Sequence, residues 1–226
     1  MKKILCLAIC FISLVVSHAY ATSHLSTCTF GKQTLNEVVC YGPAKLIQTT
    51  VSGNAVIAGP LEAQHTVLAS MQVIGLTNLR NSDVKANVRI SGDLTAKNGQ
   101  FDGNVDVTSE KILLNNSTIK GSLTINSEKE EPQLTLICGT QIRGKVVFSN
   151  HSGVINKTKD SIIEGKVVNG RVVQIVSKEK CPPSAASLAI LPSYCSIRYL
   201  NDVVGGMVKK CSRNISVAGK KMKSYS

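Results

Sequence analysis

Phe101-Asp102-Gly103-Asn104-Val105-Asp106-Val107 is the stretch on which the reading of the fold turns. In an extended chain side chains alternate sides. Phe101, Gly103, Val105 and Val107 therefore share one side, and Asp102, Asn104 and Asp106 the other. The same order (apolar, any, Gly, any, apolar, any, apolar) returns at Ile119–Ile125 and Ile142–Phe148. Toward the N-terminus it recurs at Ile90–Ala96 and Ile57–Ala63. Ile163–Val167 keeps it until Asn169 takes the last apolar slot, and Val73–Leu79 has Thr77 where an apolar residue belongs. The intervening residues include Lys120, Ser122, Thr124, Arg143 and Lys145, a solvent-facing set. Such alternation describes a half-buried strand, with β-branched residues at many inward positions. An inward glycine suits a corner or a close approach of two backbones.

These glycines stand at positions 59, 75, 92, 103, 121, 144 and 165, so the successive intervals are 16, 17, 11, 18, 23 and 21. Apart from the short step between 92 and 103, this is the period of a solenoid with about 20 residues per coil. A hairpin meander would need Asn-Gly or Asp-Gly turns at the ends of most strands, and such pairs are few: Asn98-Gly99 is a good turn candidate, whereas Asp102-Gly103 lies inside a copy of the repeat. No apolar stripe at helical spacing runs for more than about a turn. The expected architecture is all-β: a single-stranded parallel β-helix over residues 46–176. Seven coils stacked at about 4.8 Å would make a rod of about 30–35 Å. One coil cannot bury its apolar face alone, and the two ends of a stack are unpaired strand edges. Residues 22–45 and 177–226, which break the repeat and carry cysteines, read as caps. Glu128–Pro132 reads as an insertion loop within the 121–144 interval.

The segment Met1–Ala21 reads as a secretory leader, with Lys2 and Lys3, an apolar run from Ile4 to Val16, and Ala19-Tyr20-Ala21 before a cleavage point. No transmembrane segment is expected after its removal, and the place of action is the periplasm or the outside of the cell. The leader holds two basic residues and no acid, so the net charge falls from +12 to +10 in the mature chain. Such a surplus favours anionic partners. Two of the eight cysteines, Cys6 and Cys10, lie in the leader. The other six are Cys28, Cys40, Cys138, Cys181, Cys195 and Cys211, an even number that points to disulfides in an oxidising compartment. Proximity in the chain favours Cys28–Cys40 at the front and a bridge between two of Cys181, Cys195 and Cys211 at the back. Cys138 either takes the third of these or stays buried as a thiol.

The tandem coils resemble the polymer-forming, bactofilin-type β-helix proteins of bacteria over residues 46–170. That resemblance implies a compact β-helix that assembles end to end into filaments on or near membranes, so self-association is one expected partnership. This chain adds a leader and cysteine-bearing flanks to the pattern, and no functional residue carries over from it.

Serine hydrolase, P-loop, dinucleotide-binding and metalloprotease motifs are all missing, and nothing calls for a cofactor or a metal. His24, His65 and His151 have no catalytic partner close in sequence. Asp93, Asp102 and Asp106 share outward parity, and carboxylates about 5–10 Å apart on neighbouring coils would suit glycoside hydrolysis. A solvated sheet face needs outward polar residues in any case, and a chain without tryptophan lacks the usual sugar platform. The basic C-terminal segment is more distinctive. Lys209, Lys210, Arg213, Lys220, Lys221 and Lys223 fall within the segment 209–226, which holds no acid. Electrostatic docking of that segment on an anionic envelope polymer or an acidic protein surface is the expected interaction. The expected function is that of an exported, non-enzymatic structural or interaction protein presenting a rigid β-helix. A polysaccharide-active hydrolase or lyase of the cell envelope is the alternative.

Overall fold

The structure, a computed structural model, describes residues 20–21, 27–179 and 181. Every regular element among them is a β-strand, and every strand pairing is parallel. The chain winds as a three-faced β-solenoid of about nine turns. Face one is a single sheet of nine strands: Cys28–Gly31, Ala44–Ile47, Leu61–Gln64, Thr77–Arg80, Leu94–Lys97, Lys111–Asn115, Gln133–Ile137, Gly153–Lys157 and Gly170–Gln174. Face two is built from two-residue strands such as Asp83–Val84, Gln100–Phe101, Thr118–Ile119 and Gln141–Ile142. Face three carries Glu37–Cys40, Val88–Ser91, Val105–Thr108, Leu123–Asn126, Val146–Phe148 and Val167–Val168. In the second and third turns one long strand, Thr50–Ala58 or Val67–Ile74, spans faces two and three together.

The alternation read in the sequence is the alternation observed. Phe101, Val105, Val107, Ile119, Leu123, Ile125, Ile142, Val146 and Phe148 are all buried, and the residues between them are exposed or half-buried. Each such side chain contributes about 1.5–3 kcal/mol on leaving water. Thr77, the odd residue of its repeat, is also fully buried and donates its hydroxyl to the Gly75 carbonyl at 3.4 Å.

Two expectations are corrected. The stack has about nine turns instead of seven, and most turns are shorter than the expected coil, as the register pairs Ala44↔Leu61 and Leu94↔Ile112 show. The apolar-x-Gly motif also does not lie along one strand. It bends at its glycine, so Gln100–Phe101 belongs to face two and Val105–Thr108 to face three. The motif marks two different corners. Gly59, Gly75 and Gly92 stack above one another between faces three and one, whereas Gly103, Gly121, Gly144 and Gly165 stack between faces two and three. The short step from 92 to 103 is the passage from one column to the other. Close approach explains the residue type in both columns. A Cβ on Gly59 would lie 2.3 Å from the Gly42 carbonyl oxygen, and one on Gly121 would lie 2.3 Å from that of Gly103.

The third corner, between faces one and two, has no glycine rule. Gln48, His65, Asn81, Asn98, Asn116 and Cys138 occupy it with φ between 47° and 57°, a left-handed conformation that asparagine tolerates best. Asn98 and Asn116 each donate a carboxamide N–H to the side-chain oxygen of the asparagine one turn earlier, at 2.7 and 2.8 Å. Just inside lie Thr49, Thr66, Ser82, Ser117 and Thr140, buried hydroxyls that satisfy backbone groups where the ladder turns. Ser117 Oγ, for example, accepts from Gly99 N at 3.0 Å and approaches the Asn115 and Ala96 carbonyls at 2.9 and 3.2 Å.

Strands continue on the N-terminal side of Leu46 back to Cys28, and a disulfide joins Cys28 to Cys40. The second disulfide joins Cys138 to Cys181. Cys181 is thus bridged to a coil corner: of the alternatives left open by the sequence, Cys138 takes one of the three C-terminal cysteines. The physical reason lies in the path of the chain. Asn115 and Ile137 point outward by register, yet both are buried. Asn115 donates to Glu179, which places the segment after the last coil back over face one of the sixth and seventh turns. Cys195 and Cys211 lie outside the described residues. Glu128–Pro132 forms the insertion expected, a loop in which Glu128, Lys129, Glu130 and Glu131 are exposed.

Candidate functional site

Outward side chains on stacked turns repeat at about 4.8 Å, so a site on this fold is a set of rows parallel to the axis. A groove runs along face three from the second turn to the seventh, with a volume of about 440 Å³. Its first wall is the row Asn54, Ser70, Asn87, Asn104, Ser122 and Lys145, the residues that open face three in successive turns. Its second is the outward row Gln72, Arg89, Asp106, Thr124 and Val147, held in register by the strands themselves.

The asparagines stand where they do for a local reason. At this corner the sheet ladder breaks, and backbone N–H groups need another acceptor. Asn87 Oδ1 accepts from Asn104 N at 3.0 Å, and Asn104 Oδ1 accepts from Ser122 N at 2.9 Å. Asn54 Oδ1 accepts from the Ser70 hydroxyl at 3.0 Å.

The three aspartates of the sequence reading are not brought together. Asp102 lies at the corner of face two, between Lys120 at 2.8 Å and Lys85 at 3.7 Å. Its hydrogen bonds from Lys120 and then Gln100 hold its carboxyl below the usual aspartate value. On the same strip the Lys85 ammonium is pushed up, first by its hydrogen bond to Asp83. Asp106 faces the groove on face three and accepts from Asn126 at 2.9 Å, with Arg89 at 3.9 Å. Asp93 sits at the corner between faces three and one and accepts from the Ser109 hydroxyl at 2.7 Å. Their shared parity is real, but each belongs to a different column.

His65 is an exposed left-handed corner residue and His151 a half-buried loop residue, while His24 lies outside the described residues. So does the whole basic segment: Lys209, Lys210, Arg213, Lys220, Lys221 and Lys223. Among the described residues no group of three or more His, Cys, Asp or Glu side chains is placed to hold a metal, and no helix is long and apolar enough to cross a membrane. The groove itself escaped the sequence reading. Its signal was present as a polar residue just before an inward one at 54, 70, 87, 104 and 122, but without the corner geometry that row looks like ordinary solvated surface.

The fold defines the chain as a parallel, three-faced β-solenoid protein closed by disulfides. No known family matches it, and neither does any curated protein or solved structure.

Proposed function

We propose that this protein is exported and acts without catalysing a reaction, as a rigid platform that docks on an anionic envelope polymer or an acidic partner surface. The observation that carries this reading is the composition of the face-three groove. Over six turns it offers carboxamides, hydroxyls and cations, and its single acid, Asp106, is already held by Asn126. A mature chain of net charge +10 with such a wall attracts anions. The disulfides agree with an oxidising compartment and the leader with export. The basic segment from Lys209 to Lys223 would add about 1 kcal/mol for each cation close to an anionic surface.

The test is retention of the mature chain on immobilised lipopolysaccharide and acidic polysaccharide, beside a chain ending at Met207. Retention should fall steeply with added salt, because exposed charges are screened over about 8–10 Å. The shorter chain should be retained less. Equal retention of both chains, or indifference to salt, rejects docking through the basic segment. Cleavage of the polysaccharide would overturn the non-enzymatic reading.

A further inference from the structure

We infer that the groove on face three binds a single extended acidic polysaccharide chain, laid parallel to the solenoid axis. This rests on the docking reading above and gives it a site and a ligand class. Four observations carry it. The first is the supply of oriented donors. Asn87 and Asn104 commit their carboxamide oxygens to backbone N–H groups, which only an oxygen can accept. That fixes both amide planes and leaves two Nδ2 groups, each with two N–H bonds, that have no acceptor among the described residues. A pair of committed donors selects a ligand rich in acceptors.

The second is charge. Arg89 and Lys145 line the groove against Asp106 alone, and the Arg89 side chain is 71 % exposed with only a loose contact to that acid. The third is spacing. The row places one polar residue per turn, about 4.8 Å apart and close to the length of one sugar ring in an extended glycan, with the committed amides of Asn87 and Asn104 on adjacent turns. From Asn54 to Lys145 there are five such steps, about 24 Å, enough for about five sugars. The fourth is what the walls are made of. No aromatic side chain lines the groove, so stacking on the apolar face of a neutral sugar is not offered. Recognition falls to hydrogen bonds and charge, which suits uronic-acid sugars. A peptide is the poorer fit. Strand addition requires an unpaired sheet edge, and the backbone of this face is already paired turn to turn.

The experiment is titration calorimetry of the full mature chain with alginate oligomers of five or six sugars. Asn87→Asp combined with Asn104→Asp keeps the oxygens that cap the backbone and replaces only the free donors. Binding should weaken about tenfold or more, with unchanged melting temperature. Asp106→Asn, which removes the one acid, should strengthen it. Asn78→Asp makes the same kind of charge change on face one and should leave the affinity within about twofold. Unchanged affinity in the groove pair, or equal loss in the face-one control, overturns the inference. So does equal binding of neutral dextran oligomers, or a preference for vesicles of phosphatidylglycerol over alginate. A chain with Lys209, Lys210, Lys220 and Lys221 all replaced by Gln separates the two proposals. If it loses alginate while the groove pair retains it, docking stands and the groove site falls. If no form binds any anionic polymer, both fall.

Discussion

Leu123 and Ser122 are neighbours in the chain and opposites in the solenoid. Leu123 is fully buried between Val105 and Val146, whereas Ser122 stands half-buried on the groove wall. Leu123→Ala leaves a cavity that stacked turns cannot close, because the hydrogen-bonded ladders above and below fix their spacing. It should cost about 2–5 kcal/mol. Ser122→Ala removes an outward hydroxyl and should change stability by less than about 0.5 kcal/mol. Urea unfolding of the two variants reads this directly, and comparable losses would show that the parity is misassigned. Parity was legible because period two is written into the residues. The depression of the Asp102 carboxyl was not. Its cause is Lys120, one turn further along the chain, and only the length of that turn makes the two neighbours.

At the scale of the element, the two disulfides do different things. Cys28–Cys40 closes a 12-residue loop within the first turn, which contributes about 3 kcal/mol in the chain-entropy picture. Cys138–Cys181 closes a longer loop, spanning the last two coils and the segment that crosses back over face one. The same relation gives it about 4 kcal/mol. Cys138→Ser with Cys181→Ser should therefore lower stability more than Cys28→Ser with Cys40→Ser. It should also speed hydrogen exchange at the Asn115 side of face one, where Glu179 now lies. Exchange unchanged in that strand would separate the disulfide from the covering of face one. Spacing in the chain pointed correctly to Cys28–Cys40. It could not point to Cys138–Cys181, since nothing local records that the chain doubles back.

For the solenoid as a whole, the decisive question is how the stack ends. The inward column on face one reads Leu46, Ala63, Leu79, Ala96, Leu114, Leu136, then Lys157 and Gln174. Lys157 turns its ammonium to the Ser161 carbonyl at 2.8 Å. This column thus becomes polar before the last strand, Gly170–Gln174, which has no partner on its far side among the described residues, while the neighbouring inward column stays apolar with Val172 beside Ile155. Polar residues in that column weaken the edge-to-edge stacking that a wholly apolar end would invite. Lys157→Leu with Gln174→Val should carry the apolar column to the edge and raise self-association in sedimentation velocity. An unchanged sedimentation coefficient at high concentration would mean that these two residues do not guard the end.

By itself the sequence determined the class of fold, the inward and outward sets, the insertion at Glu128–Pro132 and the front disulfide. Each follows from interactions close along the chain or from a period repeated many times. Only the tertiary structure decided the number of turns, the division of one glycine motif between two corners, the Cys138–Cys181 bridge and the groove. These depend on which residue sits above which, and the coil length changes along the stack: a short turn sets Ala44 beside Cys28, and a longer one sets Leu134 beside Ile112. Vertical neighbours are fixed by the hydrogen-bond register between turns. With a variable turn length, that register emerges when the turns stack and cannot be counted off along the chain.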